Sequence, residues 1–391
     1  MPSPARTLAF DILRHVEQGA WAGELLHAHG AELDPRDRAL AAEIVLGTIR
    51  HRRQLDFLVH HYSARSRFDT EIAIALRMGI YQLRYLERIP THAAVSESVS
   101  LVRRARKASA AGLVNAVLRK VTRDPIPWPG SATEFSLPDW LWSRWRRNFG
   151  EPDASTIART LLNEPLRYIR VPPGREPEAL ALGATETGIP GCFRIDTPGP
   201  VPFRLQDISS QTIVPLLQLR PGMRLLDLCA GAGGKTAHAL ETPIHVTALD
   251  IHLHRLRQIE TPCHKIVADS TRPLPFTQTF HRILVDAPCS GTGTIARNPE
   301  IRWRVQQSDL ASFNQRQRIL LNNAASHLVP GGILIYATCS LEPEENESVV
   351  RQVLSEIPDL DLLSTHRRLP GLVPGDGFFA AVLRSKEPAS H

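Results

Sequence analysis

The sequence predicts an α/β protein: a doubly wound, parallel sheet preceded by an all-helical domain, with a small mixed α+β module between the two. Three observations carry this. From Pro221 onward, short apolar segments alternate with helical stretches, the signature of strands joined by crossover helices. Residues 1–124 contain only four prolines, and their apolar residues recur at helical spacing. The stretch from Pro165 to Pro221 carries ten prolines and few periodic runs, so neither pattern holds there. The expected divisions are residues 1–124, 136–204 and 205–391, since a chain of 391 residues exceeds what one core usually organises.

Along the N-terminal segment, Leu8, Ile12 and Leu13, then Leu40, Ile44 and Val45, then Ile74, Met78 and Tyr81 fall on helical faces. Asp34-Pro35 reads as a helix start, with Asp as the cap and Pro in the first turn. Six or seven short helices are expected, closed by the proline-dense run from Asp124 to Gly130. In the middle module, Trp140 to Phe149 reads as a helix and Leu166 to Val171 as a strand. Five strands follow: Arg224 to Leu228, Val246 to Leu249, Ile266 to Ala268, Ile283 to Val285 and Ile333 to Ala337. Helices are expected near Ser308 to Leu328 and Glu344 to Ile357. Such sheets bind ligands beyond the carboxyl ends of their strands, so the residues ending each strand matter most.

Composition narrows the class. With 42% hydrophobic and 22% charged residues the chain is an ordinary globular one, not disordered, collagen-like or membrane-embedded. No apolar run approaches the ~20 residues of a membrane helix, and Met1 to Phe10 lacks the pattern of a secretory signal. Five cysteines make no disulfide framework, so a cytoplasmic, reduced protein is expected, a monomer by default. The net charge of +6 lies wholly in residues 1–124, which hold 19 Lys+Arg against 13 Asp+Glu. That bias suits a polyanionic partner, because cations gain affinity by releasing counterions from phosphates. A solvated helical surface that leans positive accounts for it equally well.

The first strand runs into Cys229, Ala230, Gly231, Ala232, Gly233, Gly234, Lys235 and Thr236. Glycines let the backbone approach a ligand while the next helix offers free N–H groups. A phosphate loop would need a glycine where Cys229 stands, so the spacing fails for an NTPase. Asp250 ends the second strand, 19 residues after Gly231, where a ribose-binding acid is expected, and Asp269 ends the third, within reach of an adenine edge. Either alone is more often a turn or helix cap. Acidic residues in register at successive strand ends favour a nucleoside carried without a pyrophosphate, such as S-adenosylmethionine.

Two cysteines follow neighbouring strands: Cys289 in Asp286-Ala287-Pro288-Cys289-Ser290, and Cys339 in Tyr336-Ala337-Thr338-Cys339-Ser340. A free cysteine is often a small buried hydrophobe, but a Gly/Pro-bounded loop at a sheet's carboxyl end favours reactivity. Two cysteines without paired CxxC or HxxxH offer too few ligands for a metal. A thiolate beside a methyl donor suggests cytosine chemistry. Adding sulfur at C6 turns C5 into an enamine-like nucleophile, and a carboxylic acid at N3, where Asp286 stands, would stabilise the charge on the ring.

The strings LDLCAGAGGKT, VDAPCSGTG and YATCSLEPEEN resemble the RNA 5-methylcytosine methyltransferases of the Sun/Fmu type, as do Gln206 to Ser210 and Gly375 to Phe379. Residues 1–124 resemble the helical RNA-binding domain of the antitermination factor NusB. The resemblance implies a Rossmann-like, S-adenosylmethionine-dependent methyltransferase domain over 205–391, methylating C5 of a cytosine in 16S rRNA, naked or in an early small-subunit particle, with no membrane or DNA partner. It implies Cys339 as nucleophile, Cys289 in product release and Asp286 on the target base. Cys229 to Lys235, Asp250, Asp269 and Asp286 would frame the cofactor. The family usually has Ala-Pro where this chain has Gly231-Ala232, which implies a more flexible turn. DNA cytosine methyltransferases use the Pro-Cys motif instead, so Cys289 stands as the alternative nucleophile. Other readings are a related enzyme acting on tRNA or another RNA, and an RNA-binding assembly factor whose catalytic domain only docks.

Overall fold

Asp34 starts its helix as the sequence suggests: its Oδ1 accepts the N–H groups of Arg36 and Asp37 at 2.9 Å each. In the computed structural model, which describes residues 2–65, 67–197 and 199–387, that helix is one of seven α-helices up to residue 119. They are α1 (Pro4–Glu17), α2 (Ala22–Gly30), α3 (Pro35–Arg50), α4 (Arg52–Ser63), α5 (Thr70–Tyr85), α6 (Thr91–Arg104) and α7 (Ala111–Arg119). Phe10, Ile44, Leu55, Leu58, Ile74 and Leu76 meet in their core, each buried.

The chain forms two compact units, residues 1–162 with 295–304, and residues 163–294 with 305–391. This differs from the division expected at 124 and 136. Ile126 and Trp128 of the proline-dense run pack on the helical core rather than leaving it. Beyond them, α8 (Ser131–Glu134), α9 (Asp139–Phe149) and α10 (Glu151–Leu162) stay in the same unit. Arg53 ties them to α4, donating to Thr133 Oγ1 at 3.2 Å and to the Leu137 carbonyl at 2.7 Å. From much later in the chain, Arg302 inserts 1% exposed and donates to the carbonyls of Arg50 and Leu161 at 2.9 Å and of Ser136 at 3.2 Å. Two of these are orphan acceptors at helix C-termini, which need a donor once buried.

The second unit begins with a four-stranded antiparallel sheet of β1 (Tyr168–Arg170), β2 (Thr185–Glu186), β3 (Cys192–Arg194) and β4 (Arg204–Leu205), in the order β2-β3-β1-β4. The larger sheet is built of β5 (Arg224–Leu228), β6 (His245–Asp250), β7 (His264–Val267), β8 (Phe280–Asp286), β9 (Leu328–Thr338), β10 (Leu360–Arg368) and β11 (Phe378–Ser385). Its order is β10-β11-β9-β8-β5-β6-β7, and β5 to β9 pair in parallel. Two strands beyond the expected five complete it: β11 runs antiparallel to both β9 and β10. The expected helices form at Asp309–Ala325 and Glu347–Glu356. Strand order reverses at β5, so a crevice opens beyond the ends of β5, β6 and β8. No helix among the described residues is long and apolar enough to cross a membrane.

Candidate active site

The Gly-rich turn leaves β5 with Cys229 already in the left-handed region at φ 69°, and Gly231 follows at φ 57°. Asp250, at the end of β6, fixes this turn: its Oδ2 accepts the Gly231 N–H at 2.9 Å and its Oδ1 that of His252 at 2.8 Å. Asp269 accepts both the N–H and the hydroxyl of Thr271 on Oδ1, at 2.9 and 2.7 Å, which holds its carboxyl below the usual carboxylate range. A cavity of about 800 Å³ opens between these elements. Cys229, Ala230, Gly231, Ala232, Gly234, Lys235, Asp250, Asp269 and Asp286 all line it. Gly233 does not; it serves the turn, at φ 76°, where an added Cβ would lie 2.6 Å from Ile259.

The lining fits a donor-rich ligand. Four carboxyl groups, those of Asp227, Asp250, Asp269 and Asp286, face one cavity. Asp227 is buried with Oδ1 unpartnered, while its Oδ2 accepts from Thr236 at 2.5 Å. S-adenosylmethionine presents ribose hydroxyls, an adenine amino group, an ammonium and a sulfonium, all suited to such acceptors.

Burial raises the Asp227 pKa to about 7. For a carboxyl raised in the folded state, the stabilising contribution is complete below its unfolded pKa and is lost as pH rises through the folded value. Asp227→Asn keeps the acceptor for Thr236 but cannot ionise. Its stability relative to the parent should therefore increase between about pH 5 and about pH 8, by up to about 3 kcal/mol. Thermal unfolding of the catalytic unit at the two pH values measures this. An unchanged difference would show that Asp227 does not titrate in the folded protein.

Lys235, in the helix after the turn, donates Nζ to Asp286 Oδ2 at 2.5 Å and lies 5.1 Å from the Phe378 ring. The sequence suggested Asp286 for the target base and Lys235 for the cofactor, but not the ion pair they form. It also left Gln206 to Ser210 and Gly375 to Phe379 without a physical role. The two segments meet: Ser209 Oγ donates to the Asp376 carbonyl at 2.8 Å, and the Asp376 N–H to Asp207 at 3.1 Å. Gly377 in turn lies against the Cys289 loop, donating its N–H to the Gly293 carbonyl at 2.8 Å. A Cβ on Gly293 would sit 2.4 Å from the Gly377 oxygen, so only glycine permits this approach.

The two cysteines lie with sulfurs 3.3 Å apart, both half-buried. The hydrogen bond to Cys339, with burial second, pushes the Cys289 thiol well above its ordinary value. Cys289 therefore keeps its proton, 3.3 Å from the Cys339 sulfur. Burial likewise pushes up Cys229, which stays a thiol. Neither Cys289 nor Cys339 lines the cavity; it reaches the Cys289 loop through Asp286 and Pro288.

Residues 214–384 match the family described as 16S rRNA methyltransferase RsmB/F, and residues 3–123 match the NusB family. The ribosomal RNA small subunit methyltransferase B of Klebsiella pneumoniae is 34% identical over 421 residues, spanning 97% of each chain. The crystal structure of PH0851 shares the fold, with a TM-score of 0.80 at 22% identity over 98% of this chain and 99% of that one. A methyltransferase homolog protein from Pyrococcus horikoshii aligns with a TM-score of 0.57 at 25% identity, over 65% of this chain and 97% of that one. A curated relative one-third identical from end to end, on a methyltransferase fold with the acceptor-lined crevice in place, makes this chain a member of the RsmB/F family of 16S rRNA methyltransferases.

Proposed function

We propose that the protein transfers a methyl group from S-adenosylmethionine to C5 of one cytosine in 16S rRNA, through a transient bond between Cys339 and C6. The observation that carries this is the pair of cysteine sulfurs, 3.3 Å apart at the ends of adjacent parallel strands, next to an acceptor-lined crevice. Cys229 to Lys235, Asp250, Asp269 and Asp286 hold the cofactor, with Gly233 acting through the turn. Bound there, S-adenosylmethionine supplies an electrophilic methyl group.

Cys339 adds to C6 through its sulfur, which lies 3.3 Å from that of Cys289. Asp286 contacts the base, and the Lys235 ammonium paired with it offsets the negative charge that spreads over N3 and O2. C5, now electron-rich, takes the methyl. The C5 proton must then leave. Once Cys339 is bonded to carbon, the largest of the influences that hold the proton on Cys289, the hydrogen bond to Cys339, is gone, while burial and Glu345 remain. Cys289 can then release it to water and accept the C5 proton, directly or through water, and Cys339 is expelled.

The work site is the cytoplasm, on naked 16S rRNA or an early small-subunit particle, by a monomer. Phosphate contacts come from the helical unit, where the end of α6 and α7 pack together and expose Arg103, Arg106, Arg119 and Lys120. Reversing these four charges to Glu should lower the slope of log K against log salt by up to about 3. Cofactor binding should not change. An unaltered slope would make this charge a merely solvated surface.

Bisulfite mapping of 16S rRNA, with and without the gene, tests the function. One cytosine should lose protection when the gene is removed. Loss of protection in tRNA instead would favour the related enzyme acting on another RNA, and no loss in any RNA would favour an assembly factor.

A further inference from the structure

The two reactive loops end strands of their own, and their cysteines are 50 positions apart in sequence. C5 and C6 are bonded neighbours, so the sulfur that attacks one must stay close to the group that deprotonates the other. Beneath the sulfurs the loops are tied a second time, through the serine that follows each cysteine. Ser290 Oγ and Ser340 Oγ lie 3.1 Å apart. Both donate to Oε2 of Glu345, Ser340 at 2.5 Å. Oε1 of the same carboxylate accepts the Ser290 N–H at 2.8 Å and the Gln317 amide at 3.1 Å. Glu345 is 0% exposed.

We propose that Glu345 is a positioning residue that holds the Cys289 and Cys339 sulfurs in reacting distance by gripping Ser290 and Ser340 together. This rests on the covalent C5 reaction above. Glu345 lies outside the cofactor cavity and touches neither sulfur. A carboxylate this deep needs several donors to offset its lost hydration, and four converge on it. Three of the four come from the two serines, so the carboxylate reads the separation of the loops directly. Its charge also helps keep the proton on Cys289.

Glu345→Gln puts an NH₂ where donors already point, and at least one of the four bonds must break. The loops should separate, and the step that needs both sulfurs should suffer most. A misplacement of this kind costs about 10²-fold in a reacting step. Turnover should fall by that order, with cofactor binding within about 2-fold of the parent and a covalent protein–RNA adduct accumulating.

A second readout does not depend on methylation. Diamide, which takes up the two thiol hydrogens, should join Cys289 to Cys339 more slowly in Glu345→Gln, by roughly 10-fold. Ser290→Ala and Ser340→Ala, each removing a hydroxyl from the clasp, should show the same pattern more weakly should Glu345→Gln fail to fold. Two outcomes would overturn the proposal: parental turnover without adduct, or a disulfide rate unchanged in all three variants. If the parent protein methylates no RNA, the reaction fails while the disulfide rate still decides the clasp.

Discussion

Cys339→Ala is expected to abolish methyl transfer, by at least about 10⁴-fold, and to form no covalent adduct with RNA. Without a sulfur to add at C6, C5 stays too weak a nucleophile to attack a methyl group. Cys289, the sulfur 3.3 Å away, is a poor substitute because burial and Glu345 still raise its pKa once the hydrogen bond to Cys339 is gone. S-adenosylmethionine should still bind normally, since Cys339 is not part of the cavity wall. Equilibrium binding of the labelled cofactor and transfer of its methyl group to 16S rRNA measure the two effects separately. Appreciable residual methylation would move the nucleophile to Cys289.

Cys289→Ala should fail in the opposite way. Addition to C6 and methyl transfer both precede the proton's departure, so the variant should complete them and stall. Protein and RNA would remain joined through Cys339. The adduct should survive a denaturing gel, require S-adenosylmethionine and vanish in Cys289→Ala/Cys339→Ala. Ordinary turnover with a modest loss of stability would instead mark Cys289 as a packing residue.

Much of this site was legible in the sequence because it is local. The Gly-rich turn, the aspartates that end β6 and β8 or follow β7 by two residues, and both cysteines lie at or just beyond strand ends that apolar periodicity alone locates. Asp34 capped its helix as its neighbours imply. Long-range satisfaction of polar groups was not legible. Arg302 follows the Cys289 loop in sequence, yet its donors reach carbonyls 141 to 252 positions away. No local pattern announces that, and it moves residues 295–304 and 131–162 into the helical unit. Glu345 stands among Glu342, Glu344 and Glu347, an acidic run that ordinarily means a solvated surface. The signal was the serine after each cysteine: two identical Cys-Ser pairs need a common acceptor once buried. Strand β11 was missed because Phe378 to Leu383 is a short apolar run without alternation, which periodicity cannot assign.

The most direct measurement uses 16S rRNA carrying 5-fluorocytosine and the unaltered protein with S-adenosylmethionine. Fluorine cannot leave C5 as a cation, so the reaction halts after methyl transfer with the sulfur still attached at C6. Mass spectrometry of the digested complex then identifies the peptide that bears the nucleotide. The mechanism proposed here predicts a methylated fluoropyrimidine on the peptide containing Cys339. The same adduct on the peptide containing Cys289, or no adduct while the parent RNA is methylated, would contradict it.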